Sequence, residues 1–119
     1  MLAANTTVDL LIVGSGTGIS AALAGHEKNL KSLIIEKTKY VGGSTALSGG
    51  AFWIPANPVL TENGSKDTLE KAEQYLQAIV GDDSPKERWK SFLKHGSETV
   101  RMLQRTTPME FFWATGYSD

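Results

Sequence analysis

Residues 8–36 read VDLLIVGSGTGISAALAGHEKNLKSLIIE, and the order of residue types within this stretch decides the fold. The β-branched and apolar run at 8–13 is followed at once by Gly14, Gly16 and Gly18, the pattern of a buried parallel strand running into a tight turn. Small residues from about Ile19 to Asn29, among them Ser20, Ala21, Ala22 and Ala24, suit a helix packed closely on a sheet. A second short strand, 32–36, then ends in Glu36. The intervening length suits a right-handed βαβ crossover. Glycines at such a turn let peptide N–H groups approach a pyrophosphate at the positive end of the helix. An acid at the end of the second strand, 22 positions after Gly14, is placed to hydrogen-bond an adenosine ribose and to repel a 2′-phosphate. FAD or NAD is therefore favoured over NADP. One departure concerns the sixth position of the fingerprint, where Ile19 stands and glycine or alanine is usual, with Gly18 one place early. Either the turn is one residue shorter or the helix stands off the sheet.

Downstream, residues 41–51 read VGGSTALSGGA. This segment is too flexible for a plain helix and too patterned for a random linker, so something is expected to lie against its backbone. A plain NAD domain needs no second glycine-rich segment directly after the acidic strand. A flavin needs backbone and hydroxyl donors along its ribityl and isoalloxazine parts, and Ser44, Thr45 and Ser48 supply hydroxyls among Gly42, Gly43, Gly49 and Gly50. Further on, Asn57, Pro58, Asn63 and Gly64 mark turns. Residues 67–80 carry a 3.6-period apolar face on a capped helix that Gly81 ends. Ser84-Pro85-Lys86-Glu87 reads as a capping box opening a second helix, with a stripe of Trp89, Phe92, Leu93, Val100 and Leu103. Thr106-Thr107-Pro108 stops it, and 109–113 reads as a strand.

Composition narrows the function classes. A formal net charge of -1 over 119 residues gives no broad basic field for nucleic acid or an anionic membrane. The absence of cysteine removes disulfides and thiolate chemistry, and His26 and His95, read as surface residues of helices, lack metal-ligand spacing, so no metal site is expected. The apolar run at 8–13 contains Asp9 and follows no Lys or Arg, so it is neither a signal peptide nor a membrane span. A soluble, cytoplasmic location is expected. The final GYSD follows an aromatic run with no element to close a domain, which reads as an interruption.

With these residues assembled, the chain resembles the fumarate reductase/succinate dehydrogenase flavoprotein superfamily, and most of all its 3-ketosteroid Δ1-dehydrogenase branch. The carriers are GSGTG at 14–18, IIEKTKYVGGSTALSGGAFWIPANP at 34–58, the two-helix stretch, and GYSD at 116–119. The resemblance implies an α/β fold, with a Rossmann-like FAD-binding βαβ unit at 8–36, a flavin-binding segment at 41–51 and a helical pair at 67–106. It makes 1–119 the N-terminal part of an incomplete domain, the substrate domain being absent. By position, Gly14, Ser15, Gly16 and Thr17 would hold the pyrophosphate, with Gly18 beside them. Glu36 would hold the adenosine ribose and Lys37 would lie near the adenosine. Gly42, Gly43, Ser44 and Thr45, together with Ser48, Gly49, Gly50 and Ala51, would line the flavin. Covalent-flavin members carry a histidine where Gly43 stands, so FAD is expected to bind non-covalently. Tyr117 matches an active-site tyrosine that would hydrogen-bond a ketone or help with a proton. The implied activity is dehydrogenation of a CH–CH group next to a ketone, in a small molecule such as a 3-ketosteroid. Reduction of a fumarate-like double bond, or a nucleotide-binding module without activity, are the competing expectations.

Overall fold

A computed structural model describes residues 5–117. They fall into two compact units, divided between Phe52 and Trp53.

The first unit is a β–α–β arrangement followed by a short helical turn. Strand β1 (Leu10–Val13) pairs in parallel with β2 (Ser32–Ile35), Leu10 opposite Ser32 and Val13 opposite Ile35. Helix α1 (Gly18–Glu27) connects them. Asp9 precedes the strand proper, accepting the Lys31 N–H on Oδ2 at 2.8 Å while its own N–H donates to the Lys31 carbonyl at 2.9 Å. Alternation along β1 turns Ile12 inward, 7% exposed, towards α1. Two glycines let that helix approach. A Cβ on Gly18 would stand 2.6 Å from Ile12 Cγ2, and one on Gly25 would meet Ser32 Oγ at 2.9 Å and Leu10 Cδ2 at 3.0 Å. The doubt over the turn thus resolves towards a turn one residue shorter, with Gly18 giving the close helix–strand contact. Asn29, at φ 57°, ends α1 in a Schellman motif in which Leu30 N–H donates to Gly25 O and Asn29 N–H to His26 O, both at 2.9 Å. The opposite face of the sheet leaves Leu11 57%, Val13 80% and Ile35 42% exposed. Within 41–51, where no plain helix was expected, Gly43–Leu47 forms the five-residue turn α2.

The second unit is helical. Asn57-Pro58, expected to mark a turn, instead opens helix α3 (Pro58–Glu62), because Asn57 Oδ1 accepts the N–H groups of Val59 and Leu60 and proline suits the first helical position. Helix α4 (Leu69–Ile79) starts later than residue 67 because Thr68 is its cap, Oγ1 accepting the Lys71 N–H at 3.2 Å. Asp67 instead accepts the Ala56 N–H at 2.8 Å. Gly81, at φ 51°, follows the end of α4 as expected. Helix α5 spans Lys86–Thr106. The expected capping box is absent: Pro85 has ψ 129°, outside the helical range, so it becomes the cap residue, and the helix has no side-chain cap. Ala72, Leu76, Trp89 and Leu93 form the core between α4 and α5. Val100 is fully buried. Phe92 departs from the expected buried stripe, being 41% exposed and stacked on Trp53 with ring centroids 6.0 Å apart. Residues 109–113 are not a strand, since no neighbouring extended segment pairs with them among the described residues. His26 and His95 are exposed helical residues, as read from the sequence.

Candidate functional site

The strand-to-helix turn of the first unit gathers three sequence-predicted segments around one buried hydroxyl. Strand β1 delivers Gly14 to the turn, and the Gly14 N–H continues the sheet by donating to Ile35 O at 2.8 Å. Ser15 follows and is 2% exposed. Its N–H and its Oγ both donate to Glu36 Oε2, at 3.0 and 2.6 Å. The same Oγ accepts the N–H of Gly42 at 2.8 Å. Glu36 Oε1 accepts the Thr38 N–H at 3.0 Å. The carboxylate that ends β2, the turn that opens α1 and the start of the second glycine-rich segment are therefore tied together.

Contact between the turn and that second segment is tight at Gly16. A Cβ on Gly16 would lie 3.2 Å from Thr45 Oγ1 and 3.3 Å from Gly42 O. At φ 109°, Gly42 adopts a backbone that other residues rarely reach, and a Cβ there would stand 2.6 Å from the Ala46 methyl. Gly43 lies against Gly16, a Cβ on it falling 3.9 Å from the Gly16 nitrogen.

The donor supply left by this arrangement is specific. Gly14 and Ser15 use their N–H groups within the chain, whereas those of Gly16, Thr17 and Gly18 meet no acceptor among the described residues. They stand at the start of α1, where the helix dipole favours an anion. The Ser15 hydroxyl, then the amides of Thr38 and Ser15, hold the Glu36 carboxyl well below its ordinary range, at about 2. Glu36 is thus ionised throughout the neutral range. Oε2 already accepts two hydrogen bonds, while Oε1 accepts one and keeps a lone pair available to a hydroxyl. The arrangement fits a dinucleotide with a free adenosine ribose: three amides at the positive end of a helix suit a pyrophosphate, and the half-buried carboxylate suits a sugar hydroxyl.

The remaining sequence-predicted residues are more open. Lys37 is exposed beside Glu36, and Ser44 and Thr45 sit in α2 with exposed side chains. Ser48 Oγ donates to Thr45 O at 2.8 Å and accepts the Gly50 N–H at 3.2 Å, which shapes a local turn. Gly49 and Gly50 have nothing within 4 Å of where a Cβ would stand, and Ala51 is exposed. Tyr117 belongs to the second unit and is 81% exposed, its N–H donating to Ala114 O at 3.2 Å. Ser118 and Asp119 of the GYSD sequence lie outside the described residues. The bridging role of the Ser15 hydroxyl is not evident in the sequence, because a serine between two glycines has no signal of its own. Among the described residues, no helix is long and apolar enough to cross a membrane, and no cluster of metal-ligating side chains forms.

Comparison with known proteins identifies the family. Over 112 residues, 93% of this chain, the sequence is 42% identical to the 3-oxosteroid 1-dehydrogenase of Mycolicibacterium smegmatis. It is 38% identical over 106 residues, 88% of this chain, to the 4-oxocyclohex-2-ene-1-carboxylate 5-dehydrogenase of Sinomonas cyclohexanicum. The chain spans only 20% and 18% of the lengths of these two relatives. Among solved structures, the 3-ketosteroid delta1-dehydrogenase of Sterolibacterium denitrificans, in complex with 1,4-androstadiene-3,17-dione, superimposes with a TM-score of 0.78 at 32% identity. That match covers 85% of this chain and 18% of the other. The family model described as FAD binding domain matches residues 9–118, nearly the whole sequence. The chain belongs to the FAD binding domain family, and its cofactor is FAD.

Proposed function

We propose that this chain is the FAD-holding portion of an oxidoreductase that dehydrogenates a CH–CH group next to a ring ketone, with a 3-ketosteroid as the leading substrate. The observation that carries the reading is the trio of acceptor-free amides at Gly16, Thr17 and Gly18 beside the ionised Glu36. The ketone is supported by the names of both relatives, each of which carries an oxo group on its substrate. Bound FAD supplies the acceptor for a hydride taken from one of two adjacent carbons, the proton leaving the other.

Each residue's task follows from its chemistry. The amides of Gly16, Thr17 and Gly18 neutralise the pyrophosphate, and Gly14 and Ser15 shape the turn that aims them. Glu36 Oε1 accepts from the ribose and disfavours a 2′-phosphate, with Lys37 alongside the adenosine. Gly42, Gly43, Ser44 and Thr45, then Ser48, Gly49, Gly50 and Ala51, line the flavin, their backbone bare enough for a flat ring to lie against. Tyr117 donates a hydrogen bond to the substrate ketone. Gly43 leaves no imidazole for a covalent link, so the cofactor is held by these contacts alone. Acid precipitation of the protein should release the yellow cofactor to the supernatant, and flavin retained in the pellet would contradict non-covalent binding. Anaerobic addition of a 3-ketosteroid should bleach the absorbance of bound flavin. An unchanged spectrum would count against the steroid reading.

A further inference from the structure

Ser15 does something that a phosphate-binding turn does not require. A serine hydroxyl has one proton to give and two lone pairs, and this one is 2% exposed with two partners from distant parts of the chain. Its proton goes to Glu36 Oε2 at 2.6 Å, a short charge-assisted bond, and a lone pair receives the Gly42 N–H at 2.8 Å. The two partners meet at this one oxygen but belong to segments with different proposed tasks: Glu36 ends β2 and is assigned to the ribose, and Gly42 begins the segment assigned to the flavin. No second side chain links those two segments among the described residues.

We propose that Ser15 is a positioning residue whose hydroxyl couples the ribose-binding carboxylate to the glycine-rich segment, so that the two halves of the FAD site are set by one hydrogen-bond relay. It acts through Glu36 and Gly42 and touches no reacting atom. Removing the hydroxyl withdraws the strongest donor to Glu36 and leaves the Gly42 N–H without its acceptor, so one change is felt in both segments. The inference rests on the assignment of this site to FAD, and its test separates the two.

The carboxylate of Glu36 is titrated by carbon-13 NMR in the full chain without added FAD, assigned with Glu36→Gln, in the wild type, Ser15→Ala and Ser15→Cys. The apparent pKa should rise by at least about one unit in Ser15→Ala, with a smaller rise in Ser15→Cys, whose thiol is a weak donor. FAD titration of the same proteins, followed by flavin fluorescence, should show binding about tenfold weaker in Ser15→Ala. Ser15→Ala added to Glu36→Gln should weaken binding less than it does in the wild type, because part of its effect runs through Glu36. A Glu36 titration that stays at the wild-type position in both serine variants overturns the relay, whatever happens to FAD binding; weaker binding alone would mean only that Ser15 supports the fold. Should Ser15→Ala fail to fold, Ser15→Cys carries the titration. A Glu36 shift in the serine variants, together with a wild type that binds no FAD, would uphold the relay and sink the cofactor assignment.

Discussion

Gly18→Ala tests how closely α1 rides on the sheet. The added Cβ would be 2.6 Å from Ile12 Cγ2, whereas carbon atoms in comfortable contact sit about 3.5–4.0 Å apart. Helix and strand must therefore separate by about 1 Å at that point. Overpacking of a filled site costs about 1–3 kcal/mol. Alanine's better helix propensity returns at most about 1 kcal/mol, and less at the first helical position. A net loss of about 1–2 kcal/mol is expected. All three tryptophans, Trp53, Trp89 and Trp113, lie in the second unit, so their fluorescence reports the other half of the molecule. Hydrogen exchange at the β1 and β2 amides reads the first unit directly. The decisive comparison adds Ile12→Ala. Alone, that truncation of a buried residue costs about 2–5 kcal/mol. Together with Gly18→Ala it should cost about 1–2 kcal/mol less than the sum, since the methyl that clashes is gone. Additivity within about 0.5 kcal/mol would refute the contact as the cause.

Three further outcomes are expected. Gly49→Ala meets open space at a backbone angle that alanine accepts, so chain stability should change by no more than about 0.5 kcal/mol while FAD affinity drops; unchanged affinity in a fluorescence titration would remove Gly49 from the flavin-facing segment. Glu36, lowered from 4.5 to about 2 in the fold, stabilises the first unit fully above pH 4.5, and that contribution disappears as pH falls towards 2. In acid-unfolding profiles, the gap between wild type and Glu36→Gln should therefore widen from pH 2 to 4.5 and then level off, and a gap independent of pH would contradict the hydrogen bonding described. Asn57→Ala deprives α3 of its cap and Ile54 O of a 2.6 Å donor, and should cost the second unit about 1–3 kcal/mol by tryptophan-monitored urea unfolding.

The βαβ unit was legible because its signals are local: an apolar run, glycines, small residues, a second run and an acid, each tied to its place by a separate physical need. Helix ends are less legible. Asn57-Pro58 carries both signs of a helix start, yet Asn63-Gly64 so soon after made the stretch look like turns alone, and only a five-residue helix fits between them. At Ser84-Pro85 the capping pattern is present in the letters but absent from the fold, because a proline at ψ 129° takes the cap position itself and moves serine out of reach. Residues 109–113 show how little an apolar stretch decides by itself: a strand exists only where another pairs with it, and pairing is a tertiary fact. For the site, residue types marked the turn, the acid and the glycine segment. Which donors were already committed, and that Ser15 joins three segments, depended on distances no spacing rule contains.

The bare side of the two-stranded sheet has a practical corollary for anyone handling this polypeptide. Leu11, Val13 and Ile35 offer water an oily strip, and among the described residues both strands are rim strands whose outer main-chain groups can recruit another copy. Unless other protein mass lies over it, that strip should make the 119-residue species clump as its concentration rises. Aspartate or lysine at Val13, which is 80% exposed, is the substitution to raise its solubility ceiling.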